Sequence, residues 1–135
     1  MGWTRSTSVS RGKERCSMLE AEFERAIVEM AHLFGWRVAS FRPAMSSKGW
    51  ATPVKFDGAG FPDLTLVHPD GFVVFAEIKS QSGKLSPGQV EWAETFARSS
   101  DRFGTTAVRY RVWRPSDGDA IARLLSFGRV TEWAP

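Results

Sequence analysis

Apolar residues are densest in two runs, residues 64–67 and 72–78, which enclose the tetrapeptide HPDG. Its proline suits the first central position of a type I turn, and Gly71 suits the left-handed residue that completes a three-residue hairpin loop. Both faces of the second run are largely apolar, which is typical of a strand covered on both sides. The pattern therefore predicts a hairpin in the interior of a sheet.

The predicted hairpin register places His68 opposite Phe72 and, further along, Asp63 opposite Glu77. Cβ atoms of directly opposed residues lie about 4.5–5.5 Å apart, so that like charges in these positions repel. Lys79 follows Glu77 by two residues and leaves the strand on the same face. Two carboxylates and an ammonium group are poor core material, and together they predict a cation site with a charged neighbour.

An amphipathic helix is predicted over residues 18–34, where apolar residues recur on one stripe at about 100° per residue, and Gly35 suits its C-terminal cap. By this geometry Glu20 lies about 60° from the centre of the stripe, whereas Glu22 and Glu24 each lie about 100° away on opposite sides. Of these acids, Glu20 is best placed to lean toward the sheet.

The segment between this helix and the hairpin has weaker patterns. Residues 36–41 have the content of a short strand, and residues 42–60 are rich in Ser, Gly and Pro. A loop of that length inside a compact domain is usually functional or mobile. We therefore expect one strand followed by a long loop.

The signals for a second helix are specific. Ser86 suits the N-cap, Pro87 the first helical position, and Gln89 completes a capping box. The pattern extends this helix to about Ser99.

The C-terminal third of the chain completes the order of elements. Alternation over residues 105–113 predicts a strand with Arg109 and Arg111 on one face. Ser116 suits the cap of a last helix that ends at Gly128. The order helix, three strands, helix, strand, helix predicts one α/β domain over residues 18–135, with a central mixed four-stranded sheet and helices on both faces.

Composition sets broad limits. The 135 residues suffice for one domain with a core, and the single Cys16 cannot form an internal disulfide. No apolar run approaches the length of a membrane span and no signal-peptide core is present, so we expect a cytoplasmic protein without a membrane partner. Residues 1–17 lack periodicity and predict a disordered basic tail.

The net charge of +3 comes from that tail, because residues 18–135 carry fourteen basic and fourteen acidic groups. Within the domain, residues 36–55 hold four basic groups and no acid, and residues 98–114 hold five arginines and one acid. Two basic patches suit a phosphate backbone, and on charge alone ordinary solvated faces are an equal alternative. The candidate nucleic-acid-binding residues are Arg42, Lys48, Lys55 and Lys84.

The opposed acids indicate phosphodiester hydrolysis. In proteins Mg²⁺ takes one or two carboxylates, several waters and substrate phosphate oxygens. Asp63 and Glu77 supply the carboxylates, and Glu20 is a candidate third ligand, directly or through water. Lys79 is suited to hold or deprotonate an attacking water, or to neutralise charge on the pentavalent phosphate. These roles together describe a metal-dependent hydrolase of nucleic acid.

The strings around these residues resemble a known nuclease family. Pro62-Asp63 and Glu77-Ile78-Lys79, with thirteen residues between Asp63 and Glu77, resemble the PD-(D/E)XK superfamily. GFPDL, AEIKS and GKLSPGQVEW resemble the GxPD, E(V/I/L)K and LSxxQxxW elements of the VRR-NUC family. The resemblance covers about residues 19–113 and implies a restriction-endonuclease-like core, with the element order αβββαβ plus a C-terminal helix.

The resemblance also implies residue roles. Asp63 and Glu77 would bind Mg²⁺, for which Mn²⁺ substitutes, with help from the carbonyl of Ile78, and Lys79 would be the catalytic lysine. The helix acid of the family matches Glu20, as a catalytic residue and metal ligand.

Three further residues are candidates for site support. The family usually has Gln one turn after its helix acid, and this chain has Glu24 there. Ser80 follows the catalytic lysine, and the Gln of the LSxxQ element is Gln89. For Gln89 a role as a helix cap and a role in the site are equal alternatives.

By this resemblance the protein is an Mg²⁺-dependent endonuclease of a bacterial or phage-infected cell, with DNA favoured over RNA. Stand-alone members of the family imply a homodimer that acts on branched DNA such as four-way junctions. Candidate apolar interface residues, each equally suited to the core, are Trp50, Trp113, Phe127 and Trp133. Two alternatives remain: a catalytically silent nucleic-acid-binding module of this fold, and a nucleotide phosphohydrolase. The sequence has no GxxxxGK loop, which argues against the phosphohydrolase.

Overall fold

A computed structural model describes residues 20–41, 44–46, 49–51, 54–103 and 107–129. The predicted disordered tail lies outside these ranges, as do the candidate residues Arg42, Lys48 and Trp133.

Helix α1, described over residues 20–33, presents one apolar stripe to the sheet. Phe23, Ile27 and Ala31 recur every four residues and are buried, as expected for one face of a helix. The chain then turns at Gly35, whose φ of +88° is a left-handed conformation that glycine adopts without steric cost. The predicted helix and its glycine cap are confirmed.

The described residues after α1 form six strands in two sheets. They are β1 (Arg37–Ser40), β2 (Ala44–Ser46), β3 (Gly49–Ala51), β4 (Leu64–His68), β5 (Phe72–Ile78) and β6 (Val108–Trp113). The main sheet has the order β1-β4-β5-β6, with β5 antiparallel to β4 and parallel to β6. The hairpin has the predicted register, with His68 opposite Phe72. The predicted central, mixed, four-stranded sheet is therefore confirmed.

Helices cover both faces of this sheet. The two later helices are α2 (Pro87–Phe103) and α3 (Gly118–Leu125). Even-numbered side chains of β4 and β5, such as Leu64 and Val74, share a buried core with Ile27 of α1 and Leu125 of α3. Odd-numbered side chains face α2, where the rings of Phe75 and Phe96 lie 4.8 Å apart. None of the described helices is long and apolar enough to cross a membrane.

Two boundary predictions were wrong. The segment predicted as a loop over residues 42–60 contains β2 and β3, which form a separate antiparallel pair; strands of three residues are too short to show alternation. Helix α2 ends at Phe103 rather than near Ser99. No proline or glycine interrupts residues 89–103, so the polar residues near its end do not stop it.

One residue assignment was also wrong. Ser116 does not cap α3 but lies in a 3₁₀ turn, Pro115–Asp117, that precedes it. For Trp113, which was left open between interface and core, the structure gives the core, with 3% of the residue exposed. Phe127 is 38% exposed and adopts a φ of +56° just before Gly128.

Candidate functional site

Asp63 and Glu77 lie on neighbouring strands at the end where β4 begins and β5 finishes. The β4–β5 ladder reaches Leu64 opposite Ala76, and the two acids are the next residues outward. Glu77 is 2% exposed, whereas Asp63 is half-buried. Because both positions are odd-numbered, both side chains belong to the face that α2 covers. The predicted register is thus confirmed as far as Leu64 opposite Ala76, the pair next to these acids.

Asp63 is held from two sides. Its Oδ2 accepts a hydrogen bond of 2.9 Å from the backbone N–H of Ile78 on β5. Its carbonyl oxygen accepts a bond of 2.7 Å from the N–H of Phe41, which follows β1. The preceding Pro62 is fully buried, which limits movement of the backbone further. The Asp63 carboxylate is thus fixed over the end of β5.

Helix α2 reaches the buried carboxylate through Gln89. Gln89 Oε1 accepts a 2.8 Å bond from the Ser86 N–H, and its own N–H donates to Ser86 Oγ at 3.3 Å, which is the predicted capping box. Its Nε2 donates to Glu77 Oε1 at 2.8 Å. A backbone N–H needs an acceptor and a carboxylate needs a donor, so the amide can serve both only in this orientation. Gln89 therefore caps α2 with its amide oxygen and contacts Glu77 with its amide nitrogen.

A close backbone approach between two glycines brings α2 to this position. Gly60 has a φ of +85°, and a Cβ built on it would lie 2.3 Å from the carbonyl carbon of Gly88 and 2.5 Å from the nitrogen of Gln89. A Cβ on Gly88 would in turn lie 2.9 Å from the carbonyl oxygen of Ala59. Only glycine permits such contact. The glycine of the GFPDL string therefore seats the N-terminus of α2 beside Asp63.

Tyr110 on β6 is a site residue that the sequence analysis missed. Parallel pairing with β5 places it beside Phe75, and two residues later Val112 lies beside Glu77, on the same face. Burial, then the charge of Glu77 and then that of Asp63, raise the pKa of Tyr110 to about 12. The phenol lies close enough to both carboxylates for their charges to favour its protonated form. The alternation of β6 predicts which face of the sheet Tyr110 lies on. Its neighbours Phe75 and Glu77 follow only from the register of β6 with β5.

The backbone after the candidate catalytic lysine is fixed by contacts from both sheet faces. The Lys79 N–H donates to the Trp113 carbonyl at 3.0 Å. The Ser80 N–H donates to Glu20 Oε1 at 3.1 Å, and its carbonyl accepts a 2.6 Å bond from Arg114 Nη1. The Lys79 side chain is half-buried, and the residue directly follows the last residue of β5.

The next residue of this loop, Gln81, pairs with Ser116 at both ends of its amide. Its Nε2 donates to Ser116 Oγ at 2.9 Å, and its Oε1 accepts from the Ser116 N–H at 3.0 Å. This pairing replaces the capping role predicted for Ser116. It ties the loop after β5 to the turn after β6.

The helix acids are positioned differently from one another. Glu20 leans toward the sheet as predicted, and its carboxylate binds the Ser80 N–H. Glu24 is half-buried and accepts a 3.1 Å bond from Ser40 Oγ, whereas Glu22 is exposed. The helix angles alone did not separate these two, because Ser40 at the end of β1 is a partner that only the fold supplies.

The structure does not assemble three acids into one ligand group. Within the described residues, no group of three or more His, Cys, Asp or Glu side chains is placed to hold a metal ion. Helix α1 packs on the face opposite Glu77, so Glu20 reaches the end of β5 rather than the carboxylate pair. The remaining donors are Asp63, Glu77 and the carbonyl of Ile78, and such an oxygen set fits a hard divalent cation completed by water and phosphate.

A cleft of about 300 Å³ opens beside Asp63 and Gln89. The other lining residues come from the end of β1 and from the segment before β4, and they are Phe41, Val54, Gly58, Ala59, Gly60 and Phe61. The candidate phosphate-binding residues Lys55 and Lys84 are both exposed. The cleft connects Asp63 to solvent.

Comparison of the chain with protein-family models, with curated proteins and with solved structures gives no match. The resemblance to the VRR-NUC family therefore stays a prediction based on the motifs quoted above.

Proposed function

We propose that the protein is a divalent-metal-dependent nuclease that hydrolyses DNA phosphodiester bonds. The observation that carries this proposal is the Asp63–Glu77 pair at adjacent strand ends, with the Gln89 amide bound to the buried Glu77. Like charges so placed repel one another, and a bound cation relieves that repulsion. In this proposal the ammonium of Lys79, which directly follows β5, supplies the further charge that phosphoryl transfer requires.

Asp63 and Glu77, with the Ile78 carbonyl, would hold Mg²⁺ or Mn²⁺. The bound ion supplies a water of lowered pKa and polarises a phosphoryl oxygen. Gln89 fixes the rotamer of Glu77, because its donor binds one carboxylate oxygen and so directs the other. Lys79 faces the phosphate, where its ammonium stabilises developing negative charge or holds the attacking water.

In this proposal Glu20 is a positioning residue and not a metal ligand. Its bond to the Ser80 N–H fixes the backbone directly after Lys79, as does the bond from Arg114 to the Ser80 carbonyl. We assign Glu20 and Arg114 as positioning residues for Lys79. Glu24 supports the end of β1 through Ser40.

The finer parts of the proposal derive from the motif resemblance. These are a restriction-endonuclease-like core, membership of the VRR-NUC family, a cytoplasmic location, a homodimer and a preference for branched DNA. Phosphate contacts carry no sequence information directly, so selectivity would come from the geometry of the DNA.

The experiment that tests the function compares cleavage of linear, flapped and four-way-junction DNA with and without Mg²⁺. Asp63→Ala and Glu77→Ala should abolish cleavage and weaken Mg²⁺ binding measured by calorimetry. The matched controls, Asp70→Ala and Glu94→Ala, remove exposed acids far from the pair and should change neither.

The outcomes separate the alternatives. Undiminished cleavage by Asp63→Ala or Glu77→Ala would end the nuclease proposal. DNA binding by the native protein without cleavage would favour a silent module of the same fold. Hydrolysis of nucleoside triphosphates without DNA cleavage would favour a nucleotide phosphohydrolase.

A further inference from the structure

Phe56 stands out among the apolar residues that the structure describes. It is 99% exposed, more than any other large apolar residue whose exposure the structure describes. Its backbone has a φ of +57°, a left-handed conformation that bulky residues seldom adopt. Exposed apolar surface and backbone strain are both unfavourable, and strained residues of this kind cluster at functional sites.

The turn that carries Phe56 is held firmly in place. The Gly58 N–H donates to the Lys55 carbonyl at 3.0 Å, which closes the turn around Phe56. Trp92 Nε1 on α2 donates to the Asp57 carbonyl at 3.0 Å, which anchors the turn to the helix. The ring therefore projects into solvent from a fixed base.

This turn forms one wall of the cleft at the candidate site. Val54 and Gly58, on either side of Phe56 in the chain, both line the cleft that contains Asp63. Val54 is 43% exposed and Phe41, also a lining residue, is 47% exposed, so the rim of the cleft is apolar. Lys55, the residue before Phe56 in the chain, is also exposed. An exposed aromatic ring beside a cation suits a nucleotide, which offers a flat base and a phosphate.

We propose that Phe56 stacks on an unpaired base of the DNA strand whose phosphodiester lies at Asp63 and Glu77. The inference rests on the proposed function and names its substrate class: DNA with an unstacked nucleotide beside the scissile phosphate. In intact duplex every base is already stacked on its neighbours, so a protein ring reaches a base face only after a costly unstacking. Flaps, gaps and branch points present such a face at no cost.

The test measures binding in Ca²⁺, to slow hydrolysis, with gapped DNA that carries the fluorescent base 2-aminopurine at the unpaired position. Stacking of the native protein should quench the probe. Phe56→Ala should abolish the quenching and weaken binding to gapped DNA by about five- to a hundredfold, while binding to paired duplex changes little. Phe56→Trp should retain both quenching and affinity.

Two further variants make the interpretation specific. Leu33→Ala removes another exposed apolar side chain, 78% exposed on α1, and should leave binding unchanged. Phe56→Gly relieves the left-handed backbone, so its melting temperature should rise while its affinity for gapped DNA falls. A rise in melting temperature together with a fall in affinity would show that Phe56 serves binding and not folding stability.

Equal affinity and equal quenching by Phe56→Ala would overturn the proposal. So would a dimer that dissociates in Phe56→Ala, by light scattering, with equal loss of binding to gapped and paired DNA, because the ring would then pack on a second copy. Cleavage by the native protein is measured separately in Mg²⁺. Quenching that depends on Phe56, without cleavage, would refute the nuclease function and support the stacking of Phe56 on a base. Cleavage without any effect of Phe56→Ala would support the nuclease function and refute the stacking.

Discussion

Gln89 donates a hydrogen bond of 2.8 Å from its amide nitrogen to the carboxylate of Glu77, while its amide oxygen closes the cap of helix α2. One side chain therefore couples the start of a helix to the most buried acid of the candidate site. Substitutions can separate the two functions, because each end of the amide has its own partner.

Ser86→Ala and Gln89→Glu should have opposite effects. Ser86→Ala removes the hydroxyl that accepts from the Gln89 N–H and should lower the free energy of unfolding by about 1 kcal/mol, with most cleavage retained. Gln89→Glu keeps the capping acceptor but places a carboxylate against Glu77, and cleavage should fall at least tenfold, roughly the effect of one misplaced polar group in a site. Thermal unfolding and cleavage rates of both variants check this. Parallel losses in the two variants would contradict it.

Turn chemistry is why the Asp63–Glu77 pairing could be predicted from sequence. The hairpin loop fixes the register of the two strands locally, and that register extends without interruption from His68 opposite Phe72 to Leu64 opposite Ala76. The capping box of Ser86 and Gln89 is equally local. In each case residues close in the chain determine the geometry.

The rest of the site depends on contacts between distant parts of the chain. That Gln89 meets Glu77 depends on the close approach of Gly60 to Gly88, which no periodicity indicates. The place of Tyr110 depends on its parallel register with Phe75, set by a crossover through α2. Neither the backbone approach nor a parallel register leaves a local pattern in the sequence.

Lys79 can be tested separately from the metal ligands. Lys79→Met removes the ammonium and keeps the aliphatic stem, so turnover should fall about a hundredfold or more, the typical effect of losing one group that stabilises transition-state charge. Metal affinity should stay the same or rise, because a cation near two carboxylates is lost. Single-turnover cleavage and calorimetry measure the two effects. The control is Arg25→Met, which removes an exposed cation of helix α1; equal rates for the two variants would make Lys79 a surface charge.

Glu20 should behave as a positioning residue. Glu20→Gln retains an oxygen that accepts from the Ser80 N–H and should keep most cleavage, whereas Glu20→Ala removes the acceptor and should reduce cleavage more. Mg²⁺ affinity should be unchanged in both, and Glu22→Ala, at an exposed position, should match the native protein. Weakened Mg²⁺ binding in Glu20→Gln would instead make Glu20 a metal ligand.

Gly60 should be essential for seating α2. Gly60→Ala adds strain at a φ of +85° and a Cβ 2.3 Å from the backbone of Gly88, so both stability and cleavage should fall. Gly71→Ala is the matched control, because its φ is +100° with nothing within 4 Å of the added carbon. The control should lose only the conformational cost, about 1–2 kcal/mol by denaturant unfolding, and should keep its cleavage rate. A Gly60→Ala variant no less stable than Gly71→Ala would contradict the close approach.

Tyr110 offers a measurement of the carboxylate pair that does not depend on activity. It is the single tyrosine of the chain, so the ultraviolet absorbance of phenolate reports on it alone. The native protein should titrate near a pKa of about 12, raised by burial and then by the charges of Glu77 and Asp63. Glu77→Gln removes the second of these causes and should lower the pKa, while burial still holds it above its usual value of 10.0. A divalent cation bound at the pair should also lower it, because it offsets the same negative charge.

The same shift predicts how stability depends on pH. Because the folded pKa of Tyr110 lies above the unfolded value, folding favours the protonated phenol, and that contribution to stability is complete below pH 10.0. It is lost progressively as the pH rises from 10.0 toward about 12. Tyr110→Phe cannot ionise, so its denaturant midpoint should fall less than that of the native protein over this interval. A native titration near pKa 10.0, with circular dichroism still that of the folded protein, would contradict both the burial of Tyr110 and its place beside the two acids.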